Sequence, residues 1–104
     1  MPQYCVYKNN SLTKKSYPFL LDIQSELLSY IDTRLVIPLS PMANFNNQLI
    51  KNVNAIIRIE NQDYLLLTQQ MAAIPVGMIG EEVMFCEEQR QEILRCIDFL
   101  ITGY

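Results

Sequence analysis

The apolar and polar positions of this chain fall into short segments over most of its length and into one helical pattern at its end. Residues 3–8 (Gln-Tyr-Cys-Val-Tyr-Lys) are rich in β-branched and aromatic types and predict a first strand. Asn9 to Ser16 is polar and predicts an exposed loop carrying Lys14 and Lys15. Tyr17 to Gln24 predicts a second strand, with Pro18 tolerable near its start. Ser25 to Tyr30 suits either a helical turn or a strand ending in a loop, and periodicity leaves both open. Arg34 to Leu39 predicts a short buried strand, stopped by Pro38 and Pro41.

Met42 to Asn54 carries five asparagines and predicts an irregular excursion. Ala55–Ile59 and Tyr64–Thr68 predict two strands around the hairpin turn Glu60-Asn61-Gln62-Asp63. Met71 to Ile79 predicts another strand, interrupted at Pro75 and Gly77, and Gly80-Glu81-Glu82 predicts a turn or strand end. From Glu87 onward the period changes. Ile93, Cys96, Ile97, Leu100 and Ile101 recur at helical spacing, with Arg90, Gln91, Arg95 and Asp98 opposite. Glu87, Glu88 and Glu92 suit the positive end of a helix dipole, and Gly103 is a natural stop. Five to seven strands followed by one C-terminal helix predict an α+β fold on a small barrel or sandwich. Residues 1–104 are expected to form one domain.

Charge and side-chain chemistry narrow the function. The net charge is −3 and the eight Lys and Arg are scattered, so the basic stripe of a nucleic-acid binder is missing and direct nucleic-acid binding is not expected. There is no histidine, which removes the commonest general base and the commonest metal ligand. Glu81-Glu82 and Glu87-Glu88 are the only acidic pairs; neighbours in a strand point to opposite faces, so solvated charge and helix capping are expected of them. No catalytic residue, metal or cofactor is therefore expected. Cys5, Cys86 and Cys96 lack CxxC spacing, and reduced thiols are expected. Cys96 lies on the apolar stripe, whereas Cys86 falls near a helix start, where a thiol can be reactive. No stretch is long and apolar enough to span a bilayer and no signal peptide opens the chain, so a cytoplasmic protein is expected. Ile101-Thr102-Gly103-Tyr104 carries the apolar surface to the terminus. Such an end is packed under its domain or presented to a partner, and packing is the expectation on general grounds.

Four ordered segments resemble the CcdB family of bacterial toxins that poison DNA gyrase. They are Leu21-Asp22-Ile23-Gln24-Ser25-Glu26, Thr33-Arg34-Leu35-Val36-Ile37-Pro38-Leu39, residues 71–83 (Met-Ala-Ala-Ile-Pro-Val-Gly-Met-Ile-Gly-Glu-Glu-Val), and Ile97-Asp98-Phe99-Leu100-Ile101-Thr102-Gly103-Tyr104. The resemblance implies a small SH3-like β-barrel of the CcdB/MazF type with one C-terminal helix, assembled as a homodimer. It further implies binding to the DNA gyrase A subunit by Thr102, Gly103 and Tyr104, with Asp98 and Phe99 a turn earlier and Leu27 and Leu28 near the same surface. The family's best-known members carry tryptophan where Thr102 stands, and isoleucine is usual where Tyr104 stands. A toxin of this kind does no chemistry; it traps gyrase on cleaved DNA, which is binding to one conformational state. A CcdA-like antitoxin is the second implied partner, its disordered tail covering the loop around Lys14 and Lys15 and the segment after Pro41.

Two rival readings accompany this one. The same barrel in MazF/Kid-like relatives cleaves RNA, a chemistry that wants phosphate-holding cations and a paired acid or base. Arg34 and Arg58 are the only arginines in the strand region and the chain is acidic, which ranks that reading lower. A degenerate member that keeps the antitoxin but not the poison is the other.

Overall fold

A computed structural model describes residues 2–28, 30–45, 50 and 52–103. Its described residues form seven strands and one helix: β1 (Cys5–Asn9), β2 (Phe19–Asp22), β3 (Thr33–Pro41), β4 (Asn54–Ile59), β5 (Gln62–Leu67), β6 (Ala72–Pro75), β7 (Ile79–Phe85) and α1 (Arg90–Thr102). The sheet is antiparallel in the order β4-β5-β3-β2-β1-β7, with β6 also paired to β3. It is a curled half-barrel closed by the C-terminal helix, in keeping with the α+β small-barrel expectation.

The central strand accounts for the curl. β3 pairs β6 through Thr33 to Val36 and β5 through Leu39 to Pro41 on one flank, and β2 through Val36 to Leu39 on the other. Pro38 does not stop it, contrary to the sequence expectation. The Ile23 N–H donates to the Leu35 carbonyl at 3.0 Å, so the pairs Leu21–Ile37 and Phe19–Leu39 continue that bonded alternation and Leu20–Pro38 falls between them. The nitrogen of Pro38 therefore faces the flank where β6 has ended and β5 has not begun. A missing donor costs nothing there.

Phe19, Leu21, Ile37 and Leu39 point to one side and meet Ala55, Ile57, Ile59 and Leu66, with Ile93 and Cys96 of the helix as the lid. Phe19 and Tyr64 touch edge to face, centroids 5.0 Å apart. The other side of the sheet is partly covered as well. Leu20, Val36 and Pro38 line a cavity of about 150 Å³ with Tyr17, Ala72 and Ile74.

Two more boundaries differ from expectation, and a third that the sequence left open is decided. The β4–β5 turn is the two residues Glu60 and Asn61, both at positive φ (52° and 67°), the twist that a two-residue hairpin needs; Gln62 and Asp63 already pair in β5. Gly80, Glu81 and Glu82 lie inside β7 and are not a turn. A Cβ at Gly80 would stand 3.0 Å from the Lys8 carbonyl and 2.9 Å from the Asn10 side chain, so this residue lets β7 close on β1. Of the two readings open for Ser25 to Tyr30 the helical one holds, as a 3-10 turn over Glu26–Leu28; Ser29 lies outside the described residues.

Candidate protein-binding site

The helix divides its apolar residues between two faces. Ile93 and Cys96 are buried and Ile97 and Phe99 half-buried, but Leu94, Leu100 and Ile101 are exposed, Ile101 at 72%. The sequence placed Leu100 and Ile101 on the helix's apolar stripe with Ile93, yet both are exposed. Leu94, Asp98 and Ile101, spaced i, i+4 and i+7, share one face, so Asp98 sits between two exposed apolar side chains and not on a wholly polar face. The Thr102 hydroxyl donates to the Asp98 carbonyl at 2.7 Å. Gly103 takes the left-handed conformation (φ 79°) and its N–H closes on the Phe99 carbonyl at 2.9 Å. Thr102 and Gly103 are exposed, and the packed-under reading of the terminus fails for them. Tyr104 lies outside the described residues.

The second expected element is the 3-10 turn Glu26–Leu28, none of whose residues is buried; Leu27 is 87% exposed. It borders a groove of about 350 Å³ whose walls include Leu27, Glu26, Phe85, Glu87 and Arg90. Phe85, 55% exposed, is a surface aromatic that strand periodicity alone does not single out. The groove meets α1 at its first residue, while Thr102 lies about 18 Å further along the helix axis at the usual rise per residue. Within one chain the turn and the end of the helix are thus separate patches.

Beneath the turn lies a buried ion pair that the sequence did not announce. Arg34 and Asp22 are 1% and 0% exposed, and the guanidinium forks onto the carboxylate, Nε to Oδ2 at 2.8 Å and Nη2 to Oδ1 at 3.0 Å. The spacing of two charged residues at the ends of apolar segments was the available signal. The loop with Lys14 and Lys15 is exposed and held from below by the buried Asn9, whose Nδ2 donates to Thr13 Oγ1 at 3.1 Å and to the Tyr17 carbonyl at 2.8 Å. Of the segment after Pro41, Met42–Phe45 forms a 3-10 turn, and residues 46–49 and 51 lie outside the described residues.

The thiols are not poised for reaction. Cys86 is buried and pushed up to about 11, by loss of solvent first and by Cys5 second. Of the two possibilities the sequence left for Cys86, the unreactive one holds: only a 3-10 turn (Glu87–Gln89) follows it directly. Burial likewise raises Cys5 and Cys96. Glu81 pairs with Lys8 at 3.3 Å on the open surface, as solvated charge does. Among the described residues no group of His, Cys, Asp and Glu could hold a metal ion. No described helix is long and apolar enough to cross a membrane.

A curled antiparallel sheet closed by a C-terminal helix that leaves apolar side chains uncovered defines a small α+β barrel with a candidate protein-binding surface. The fold is similar to that of Mycobacterium tuberculosis toxin MazF-mt6, with a TM-score of 0.71 over 90% of this chain and 92% of that one, at 13% identity. The family model described as CcdB protein matches residues 3–103, and the chain belongs to that family, a toxin family of the toxin–antitoxin type.

Proposed function

We propose that this protein is a toxin that binds the DNA gyrase A subunit and traps the cleaved gyrase–DNA complex. The observation that carries the reading is the uncovered apolar end of α1 in a chain of the CcdB family. A helix face with Leu94, Leu100 and Ile101 exposed gains by burial against a partner, roughly 25 cal/mol for each Å² covered. Leu27, Leu28, Asp98, Phe99, Thr102, Gly103 and Tyr104 are the contact residues, and they act by binding, with no bond made or broken by the toxin. The chain works as a homodimer, which brings the patches of two copies to one partner. A CcdA-like antitoxin engages the loop of Lys14 and Lys15.

The ribonuclease reading suggested by MazF-like folds is weaker here. Arg34 is locked to Asp22 and 1% exposed, and Arg58 is held in the β4–β5 hairpin by Asp63 at 3.2 Å and by the Asn61 carbonyl at 3.2 Å. Titration of the purified protein into the gyrase A dimerisation fragment tests the proposal. Saturable binding that vanishes on deleting Thr102 to Tyr104 is expected; no binding together with degradation of added RNA contradicts it.

A further inference from the structure

Gln24 has every hydrogen-bonding group engaged. Its N–H donates to Asp22 Oδ1 at 2.9 Å, and its carbonyl accepts from Arg34 Nη2 at 3.1 Å. The Leu35 N–H would normally go to the Ile23 carbonyl, but that oxygen accepts from Gln3 Nε2 at 3.0 Å. Gln24 Oε1 takes the Leu35 N–H instead, at 2.9 Å. The amide's other end, Nε2, donates to the Leu28 carbonyl at 3.2 Å. One side chain thus connects the end of the buried sheet to the exposed turn that carries Leu27 and Leu28.

Packing does not hold that turn, because none of its residues is buried. Its shape comes from hydrogen bonds: Leu28 N–H to the Ser25 carbonyl at 3.1 Å, Leu27 N–H to Ser25 Oγ at 3.2 Å, Ile31 N–H to the Leu28 carbonyl at 3.1 Å, and the Gln24 amide. The Gln3 N–H also donates to Glu26 Oε1 at 3.3 Å and ties the turn to the N-terminal segment; among the described residues the Gln24 amide is the side chain that bonds the turn's backbone at one end and the sheet at the other. The geometry points to Gln24 as a positioning residue that presets the Leu27–Leu28 pair for its protein partner, an inference that rests on the gyrase reading above. A turn ordered before contact avoids the entropy loss that a loose one would suffer on binding. The Asp22–Arg34 pair is the anchor: it fixes the backbone of Gln24 at both its N–H and its carbonyl.

Two variants separate positioning from stability. Gln24→Glu keeps an acceptor for the Leu35 N–H but sets a carboxylate oxygen against the Leu28 carbonyl in place of the donor. It is expected to bind the gyrase A fragment about tenfold more weakly, with a melting temperature within about 2 °C of the parent. Hydrogen exchange at the Leu28 and Ile31 amides is expected to speed up several-fold with no gyrase present. Gln24→Met loses both ends and is expected to lower the melting temperature as well, since it orphans the Leu35 N–H. The inference is overturned if Gln24→Glu binds within twofold of the parent, if its turn amides exchange at the parental rate, or if its affinity falls only in step with its melting temperature. A parent that fails to bind the fragment overturns the gyrase reading and the role assigned to the turn; the exchange arm then still decides whether the Gln24–Leu28 bond orders it.

Discussion

The sheet around Asp22 and Arg34 and the free end of α1 invert the usual partition of side chains in opposite directions. In the first, two full charges are removed from water, at 0% and 1% exposure. In the second, large aliphatic side chains stand in water, with Ile101 at 72%. Burying the ion pair is tolerable because the guanidinium fork meets the carboxylate in two bonds and also reaches the Gln24 carbonyl, so the desolvation cost is offset locally. Among the described residues none covers Leu94 and Ile101, and the proposed gyrase contact would. Disruption of the first region is felt as stability, and disruption of the second as affinity.

That contrast breaks most sharply at Arg34. Arg34→Leu leaves Asp22 buried and uncompensated, and a loss of about 3–5 kcal/mol is expected, enough to lower the melting temperature by 12 °C or more, both figures of order of magnitude. Thermal unfolding followed by circular dichroism reads it. A shift of about 2 °C or less would mean that the pair contributes little. At the other pole, deleting Thr102 to Tyr104 is expected to weaken gyrase binding by roughly a hundredfold or more while the melting temperature barely moves, because Thr102 and Gly103 pack against nothing in the core. A large stability loss on deletion would return the terminus to the core.

The contrast sharpens at Leu27. Leu27→Ser removes an 87% exposed side chain and is expected to leave unfolding unchanged and to cost about tenfold in affinity, read by titration calorimetry. The smallest effect concerns Cys86. Burial holds its thiol at about 11, above the ordinary thiol value, so the neutral form is favoured in the folded state. Its contribution is complete below the unfolded pKa and is lost as pH rises through the folded one. The melting temperature is therefore expected to decline between about pH 9 and 11, and less steeply in Cys86→Ala, once each curve is referred to its own value at pH 8. Equal slopes would remove Cys86 as a cause.

The element list was largely legible in the sequence because it rests on local chemistry. The strand segments, the β4–β5 hairpin and the Gly103 stop follow from side-chain type and turn propensity. The errors came where neighbours decide. Pro38 reads as a stop in isolation, and only the vacancy between β6 and β5 lets the strand run through it. Leu100 and Ile101 share a helical period with Ile93, yet they are exposed and Ile93 is buried; periodicity identifies a face but not what covers it. Leu27 and Leu28 entered as candidates through the resemblance of whole segments, whereas the end of α1 was already marked by its apolar residues; neither carries a reactive group, because a binding surface needs none. Gln24 was visible only as part of a motif. Its bonds to Leu35 and Leu28 require the register of β2 against β3.

The central claim is tested most directly by incubating the purified protein with gyrase, ATP and supercoiled plasmid, with the protein alone on plasmid and on RNA as controls. The account predicts that linear DNA accumulates only when gyrase is present and that RNA stays intact. If no linear DNA forms and the gyrase A fragment does not bind, the gyrase reading is contradicted, and cleaved RNA in the control would assign the fold to the ribonuclease class.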